Sequence, residues 1–158
     1  HSPGHLCFYE RRLRLLLSGD HVLPRITPNI SIHAQQQGNP LATFIESLLA
    51  VDHLDVDEVL PAHEFRFRGL KSRTAALRAH HRARLDEIAS ILGATPDATC
   101  WEIASGLSWS RPWADIVGFP QRMAVGETLA HLVLLEAEGR VAQQPGRPAR
   151  WAVTRYSG

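Results

Sequence analysis

The chain has 158 residues, 44% of them apolar and 21% charged, which excludes an intrinsically disordered segment and leaves room for one ordinary domain or two small ones. Seventeen basic residues against sixteen acidic ones give a formal net charge of +1, so a surface built wholly for nucleic acid or anionic lipid is excluded as well. No apolar stretch reaches the roughly 18 residues of a membrane span, and the two cysteines, Cys7 and Cys100, lack CxxC spacing; a reducing, cytoplasmic compartment fits better than a disulfide scaffold or a cysteine-rich zinc finger.

Taken in chain order, His5 to Tyr9 is a short apolar and aromatic run, followed by the polar turn Glu10-Arg11-Arg12 and then Leu13 to Leu17, a hairpin pattern closed by Ser18-Gly19. Residues 22 to 40 hold three prolines, Gly38 and two Asn residues, which reads as a long loop of the kind that carries function. A helix is predicted at about 40–52, with Asn39 as its cap, Pro40 in its first turn, and Leu41, Phe44, Ile45, Leu48 and Leu49 on its apolar face. Val56 to Leu60 follows as a short strand ending at Pro61.

A long helix is predicted at about 70–92, its apolar stripe formed by Leu70, Leu77, Leu85, Ile88 and Leu92 and its stop by Gly93. A short helix over Thr99 to Leu107, a connector from Trp109 to Pro120 and a third helix at about 120–138 come next. Two short strands, Val141 to Gln144 and Trp151 to Val153, flank the basic turn Pro145-Gly146-Arg147-Pro148, so three helices lead into a hairpin, the layout of a winged helix. Charge shifts at the same boundary, from net −2 over residues 1–69 to net +3 over residues 70–158, and two modules with that division are expected. Trp101, Trp109 and Trp113 are expected to anchor the core of the second module or its contact with the first.

Nine histidines are a high count for this length, and several stand at predicted strand ends: His1 and His5 flank Ser-Pro-Gly, His21 follows Asp20, and His63 follows Pro61-Ala62. Imidazoles and a carboxylate at strand ends suit a zinc-type site, because the strands hold the donors while loops leave a coordination position open. Other histidines read as structural. His80 and His81 lie about 100° apart on a helix and lack the i, i+4 spacing of helical ligands, and His53 and His131 sit at a helix end and on a helix.

In this order and spacing, His-Ser-Pro-Gly-His-Leu at 1–6, Leu-Leu-Ser-Gly-Asp-His at 16–21 and Val-Leu-Pro-Ala-His at 59–63 resemble the later half of the metallo-β-lactamase fold superfamily. The resemblance implies an α+β fold in which residues 1–69 form the C-terminal half of an αβ/βα sandwich and residues 70–158 a small winged-helix domain. The second half, through Trp101-Glu102-Ile103-Ala104 and Glu127-Thr128-Leu129-Ala130-His131, is similar to the winged-helix tail of the lactamase-beta-like branch. By the same resemblance His1 would bind the first metal, Asp20 would bridge two metals and His63 would bind the second. His5 would support the site rather than ligate. From their positions, His21 after the bridging Asp would line the pocket or make a structural hydrogen bond, and His33 in the long loop would reach the metal face as a pocket or supporting residue. The intact enzyme would then hold two zinc ions and direct a metal-bound hydroxide at an ester, thioester, amide or phosphodiester, with no catalytic residue beyond the ligands.

One family motif, His-x-His-x-Asp-His, occurs nowhere in the chain, and residue 1 is His rather than Met with no signal segment. A C-terminal fragment of a hydrolase is therefore expected, inactive by itself and weak in metal binding, whose partners are the N-terminal half of the same protein, a small ester or thioester or a nucleic-acid substrate, and no membrane. Half a sandwich leaves a sheet edge and an apolar face uncovered, so self-association is expected too. The alternative is an RNA- or DNA-binding winged-helix module joined to a degenerate hydrolase half-domain. Its contacts would come from Arg140, Arg147 and Arg150, since the third helix carries Glu127, Glu136 and Glu138 where phosphate contact needs cations.

Overall fold

The computed structural model describes residues 4–32 and 38–154. These fall into two units, one drawn from His1–Ile30 and Ala42–His80, the other from Ser31–Leu41 and His81–Gly158.

The first unit is organised by a three-stranded sheet. Strands β1 (Phe8–Glu10) and β2 (Leu15–Gly19) pair antiparallel, with Phe8 opposite Leu17 and Tyr9 opposite Leu16. Their turn is longer than the sequence indicates. Arg14 takes a left-handed backbone (φ 53°), and the Glu10 carboxylate accepts the Leu13 N–H at 2.5 Å. The second strand therefore starts at Leu15, not Leu13, which is left 66% exposed, and it runs on through Ser18 and Gly19.

After β2, residues 20–32 form no helix or strand but still bury Val22, Leu23 and Ile30; α1 (Pro40–Asp52) then precedes β3 (Glu58–Pro61), which runs parallel to β2. Helix α1 buries Leu41, Phe44 and Leu48 at three- and four-residue spacing, whereas Leu49 is half exposed. Sheet order is β1-β2-β3. Because side chains alternate across a strand, Leu16 and Val59 face inward and are fully buried, while Phe8, Leu17 and Leu60 share the opposite face.

Helix α2 (Leu70–Ala94) passes Gly93 by one residue, and all five predicted stripe residues are buried. Two polar residues complete the stripe: Thr74 and His81 are fully buried at the positions the leucines skip. Thr74 and Arg78 both bind the Asp52 carboxylate at the end of α1. Burial pushes that carboxyl up, but these hydrogen bonds and the Arg78 charge outweigh it, and Asp52 lies below the ordinary carboxylate value.

In the second unit β4 (Ala98–Thr99) leads into α3 (Cys100–Gly106), where Thr99 and Glu102 form a reciprocal capping box. A single 3₁₀ turn, Trp113–Asp115, precedes α4 (Phe119–Ala137), which carries Pro120 in its first turn. Strands β5 (Val141–Gln144) and β6 (Arg150–Val153) close a sheet of order β4-β6-β5. The core tryptophan here is Trp151, 2% exposed; Trp101 is 51% exposed and meets Trp113 edge-on at 5.4 Å. The Ser31–Ile32 segment lies on α4, where the Ile32 N–H bonds the Gly126 carbonyl at 3.2 Å and a Cβ on Gly126 would stand 3.1 Å from that of Ser31. Among the described residues no helix is long and apolar enough to cross a membrane.

Candidate metal centre

Parallel pairing of β2 and β3 sets their C-terminal ends side by side, the place where α/β sheets put functional loops. Asp20 follows β2 directly and His63 stands two residues past β3. The register slips between Leu17 and Gly19, and the Ala62 N–H bonds the Gly19 carbonyl at 2.9 Å, which draws the two ends together. As a result His63 Nε2 lies 3.3 Å from Asp20 Oδ1, with the imidazole 66% and the carboxylate 25% exposed. An imidazole beside a carboxylate at neighbouring strand ends is a donor pair suited to zinc.

His5 holds this arrangement from behind. Its Nε2 accepts the Asp20 backbone N–H at 3.2 Å, so in the neutral ring the proton sits on Nδ1. The approach needs glycine at position 19: its φ is 53°, and a Cβ there would lie 2.4 Å from His5 Nε2. The turn after β2 is equally tied down, since the buried Ser18 hydroxyl donates to the Val22 carbonyl at 2.8 Å and the His21 N–H to the Ser18 carbonyl at 3.0 Å.

His21 is 7% exposed, packs its ring edge-on against Phe44 at 5.3 Å and lies 6.3 Å from the His5 ring. Burial holds it below the ordinary imidazole value, against a hydrogen bond with the Ser47 backbone that raises it, and the neighbouring His5 adds to the lowering. Its Nε2 is buried with no hydrogen-bond partner among the described residues.

His1 and His33 lie outside the described residues. Of the sequence-predicted set, the structure brings Asp20, His63 and His5 together, with His21 behind them. Among the described residues no group of three or more His, Cys, Asp and Glu side chains converges as a metal cage, so the chemistry of the donors fits zinc while Asp20 and His63 furnish only part of a four-coordinate shell.

Two residues near the site give no signal in the sequence. Glu64, next to His63, adopts φ 70° with a side chain other than glycine, and Arg73 on α2 reaches back to the carbonyls after Asp20. The arginines of the second unit are largely engaged within the protein: Arg140 pairs with Asp86 at 2.8 Å, and Arg150 donates to the Asp97 carbonyl at 2.6 Å, with Glu102 at 3.8 Å. Arg147 is exposed in the turn between β5 and β6.

Residues 1–63 match the family model of the metallo-beta-lactamase superfamily. A metallo-beta-lactamase family protein from Thermus thermophilus is similar at 33% identity and TM-score 0.83, over 97% of this chain and 46% of its own. A beta-lactamase domain protein from Burkholderia ambifaria is similar at 36% identity and TM-score 0.88, over 97% of this chain and 45% of its own. The chain thus spans a little under half the length of these solved structures. No curated protein matches it. With the strand-end Asp20 and His63 in that setting, the chain belongs to the metallo-beta-lactamase superfamily.

Proposed function

We propose that the chain contributes Asp20 and His63, together with His1, to the metal centre of a metal-dependent hydrolase of esters, thioesters, amides or phosphodiesters. The observation that carries this reading is the 3.3 Å approach of His63 Nε2 to Asp20 Oδ1 at neighbouring strand ends, within the stretch that matches the superfamily. Zinc is the metal the donors favour, two ions in the intact enzyme, and when bound it would supply Lewis-acid polarisation of water and of a substrate oxygen. His5 fixes the main chain of Asp20 through its bare Nε2, and the shielded His21 lines the pocket behind it.

The chain holds no His-x-His-x-Asp-His motif, so by itself it binds zinc weakly and does not turn over. We read its second unit as a winged helix that serves packing or substrate access. The nucleic-acid reading is weakened by the engagement of Arg140 and Arg150 with acidic and carbonyl partners. The outward row Phe8, Leu17 and Leu60, with Phe8 63% and Leu17 45% exposed, supports pairing of the chain with a second copy, or with the N-terminal half of the same protein. The two unpaired cysteines suit the cytoplasm.

Zinc titration with a chromophoric competitor tests the metal reading. Weak binding lost in both Asp20→Asn and His63→Ala is the expected result. Zinc affinity indifferent to both substitutions would sink the ligand assignment, and stoichiometric, chelator-sensitive zinc with turnover in the 158-residue chain would sink the claim of inactivity.

A further inference from the structure

Residues 23–26, which continue the chain beyond Asp20 and its turn, are gripped on both of their hydrogen-bonding sides. Glu64 takes the donors: Oε2 accepts the Arg25 N–H at 3.1 Å and the Ile26 N–H at 3.5 Å, and Oε1 accepts the Arg25 Nε–H at 3.2 Å. Arg73 serves the acceptors, donating its Nε–H to the Leu23 carbonyl at 2.6 Å and Nη2 hydrogens to those of Arg25 and Ile26 at 3.0 and 2.7 Å. The Arg25 guanidinium also lies over the Phe65 ring, 5.1 Å from its centroid.

The backbone at Glu64 is the unusual part. Its φ of 70° is left-handed, a conformation disfavoured by any Cβ and persistent only where surrounding contacts over-determine it. Here the contacts are those of its own carboxylate, which is 17% exposed although the residue lies in a surface loop. Each end of the tie is close to one member of the donor pair: Glu64 is the next residue after His63, and the gripped segment begins three residues after Asp20.

We propose that Glu64 is a positioning residue, whose carboxylate ties the segment after Asp20 to the residue after His63 and thereby sets the spacing of the two side chains. The proposal rests on the metal-ligand reading of Asp20 and His63 only for its functional consequence; the tie itself is independent of it. His5 secures Asp20 from the opposite side, through the backbone N–H.

Two substitutions in the 158-residue chain separate positioning from fold stability. Glu64→Gly removes the carboxylate but accepts φ 70° without strain, so the urea midpoint should fall only modestly and the chain should stay folded. The Arg25 and Ile26 amides should then exchange with deuterium at least about tenfold faster, and the His63 Cε1–H resonance should shift. Glu64→Gln keeps a side-chain oxygen as acceptor and should return both signals toward those of the unsubstituted chain. Unchanged exchange and an unchanged His63 resonance in Glu64→Gly would overturn the proposal, as would a Glu64→Gln chain no different from Glu64→Gly. Zinc alone, titrated while the His63 resonance is followed, should bind more weakly to Glu64→Gly. A His63 resonance indifferent to zinc in the unsubstituted chain would overturn the metal-ligand reading instead, while exchange and resonance still decide whether the tie exists.

Discussion

The second unit buries a pair of imidazoles whose protonation pattern is fixed by geometry. His81 on α2 and His131 on α4 are both 0% exposed, with Nδ1 of His81 3.1 Å from Nε2 of His131, and Nδ1 of His131 is 2.8 Å from the Glu127 carbonyl. A carbonyl only accepts, so His131 Nδ1 carries hydrogen; in the neutral ring Nε2 is then a bare acceptor, and His81 Nδ1 must donate to it. Replacing His81 by Leu, of similar size, removes the donor and leaves the His131 Nε2 lone pair in an apolar core. Replacing His131 by Leu leaves the His81 Nδ1–H without this acceptor. Each single change should cost about 1–3 kcal/mol, the desolvation penalty of a buried polar atom that loses its partner. The double change removes both polar atoms together and should cost less than the sum of the singles by roughly 1–3 kcal/mol. Urea unfolding at about pH 8, followed by tryptophan fluorescence, measures the four corners of the cycle. Additivity to within about 0.5 kcal/mol would refute the reasoning, since it would mean that the two rings do not depend on each other.

Three further predictions rest on independent parts of the molecule. Burial pushes the Cys100 thiol up to about 12 and raises that of Cys7 as well, so at about pH 8 Cys100 in the folded chain should react with a disulfide reagent roughly a thousandfold more slowly than a free cysteine. Two fast thiols before denaturation would contradict this. Asp52 is held below the ordinary carboxylate value, so its stabilisation is complete above about pH 4, the unfolded carboxylate range, and is lost as pH falls through the lower folded value. Asp52→Asn should therefore cost about 1–3 kcal/mol at about pH 7 and progressively less toward about pH 3, as urea midpoints would reveal; a cost independent of pH would contradict it. Light scattering should find the chain self-associated, and Leu17→Lys, which puts a charge in the middle of the outward apolar row, should shift it toward monomer; a monodisperse monomer before substitution would end that reading.

Helices were the most legible feature. The stripe from Leu70 to Leu92 and the start of α1 at Pro40 appear where their periodicity and capping residues indicate, because both signals are local. Strand bounds were less so: the hairpin turn is longer than expected because Arg14 takes a left-handed conformation that no local pattern marks. Tryptophan burial also had to come from the fold, which covers Trp151 with its neighbours and leaves Trp101 half exposed. In the candidate site, the motifs that carry His5, Asp20 and His63 were readable as strings. Their spacing was not, since it depends on the slipped register between β2 and β3.

What the sequence determined alone was therefore the set of periodic helices, the order of the strand-end motifs and the family they belong to, all properties of residues close together along the chain. Only the tertiary structure decided which polar groups go inside. Thr74 meets Asp52 across 22 residues, His81 meets His131 across 50, and the Arg25 N–H reaches Glu64 across 39. A polar atom can leave water only when a partner replaces the water it loses, and these partners are adjacent in space alone.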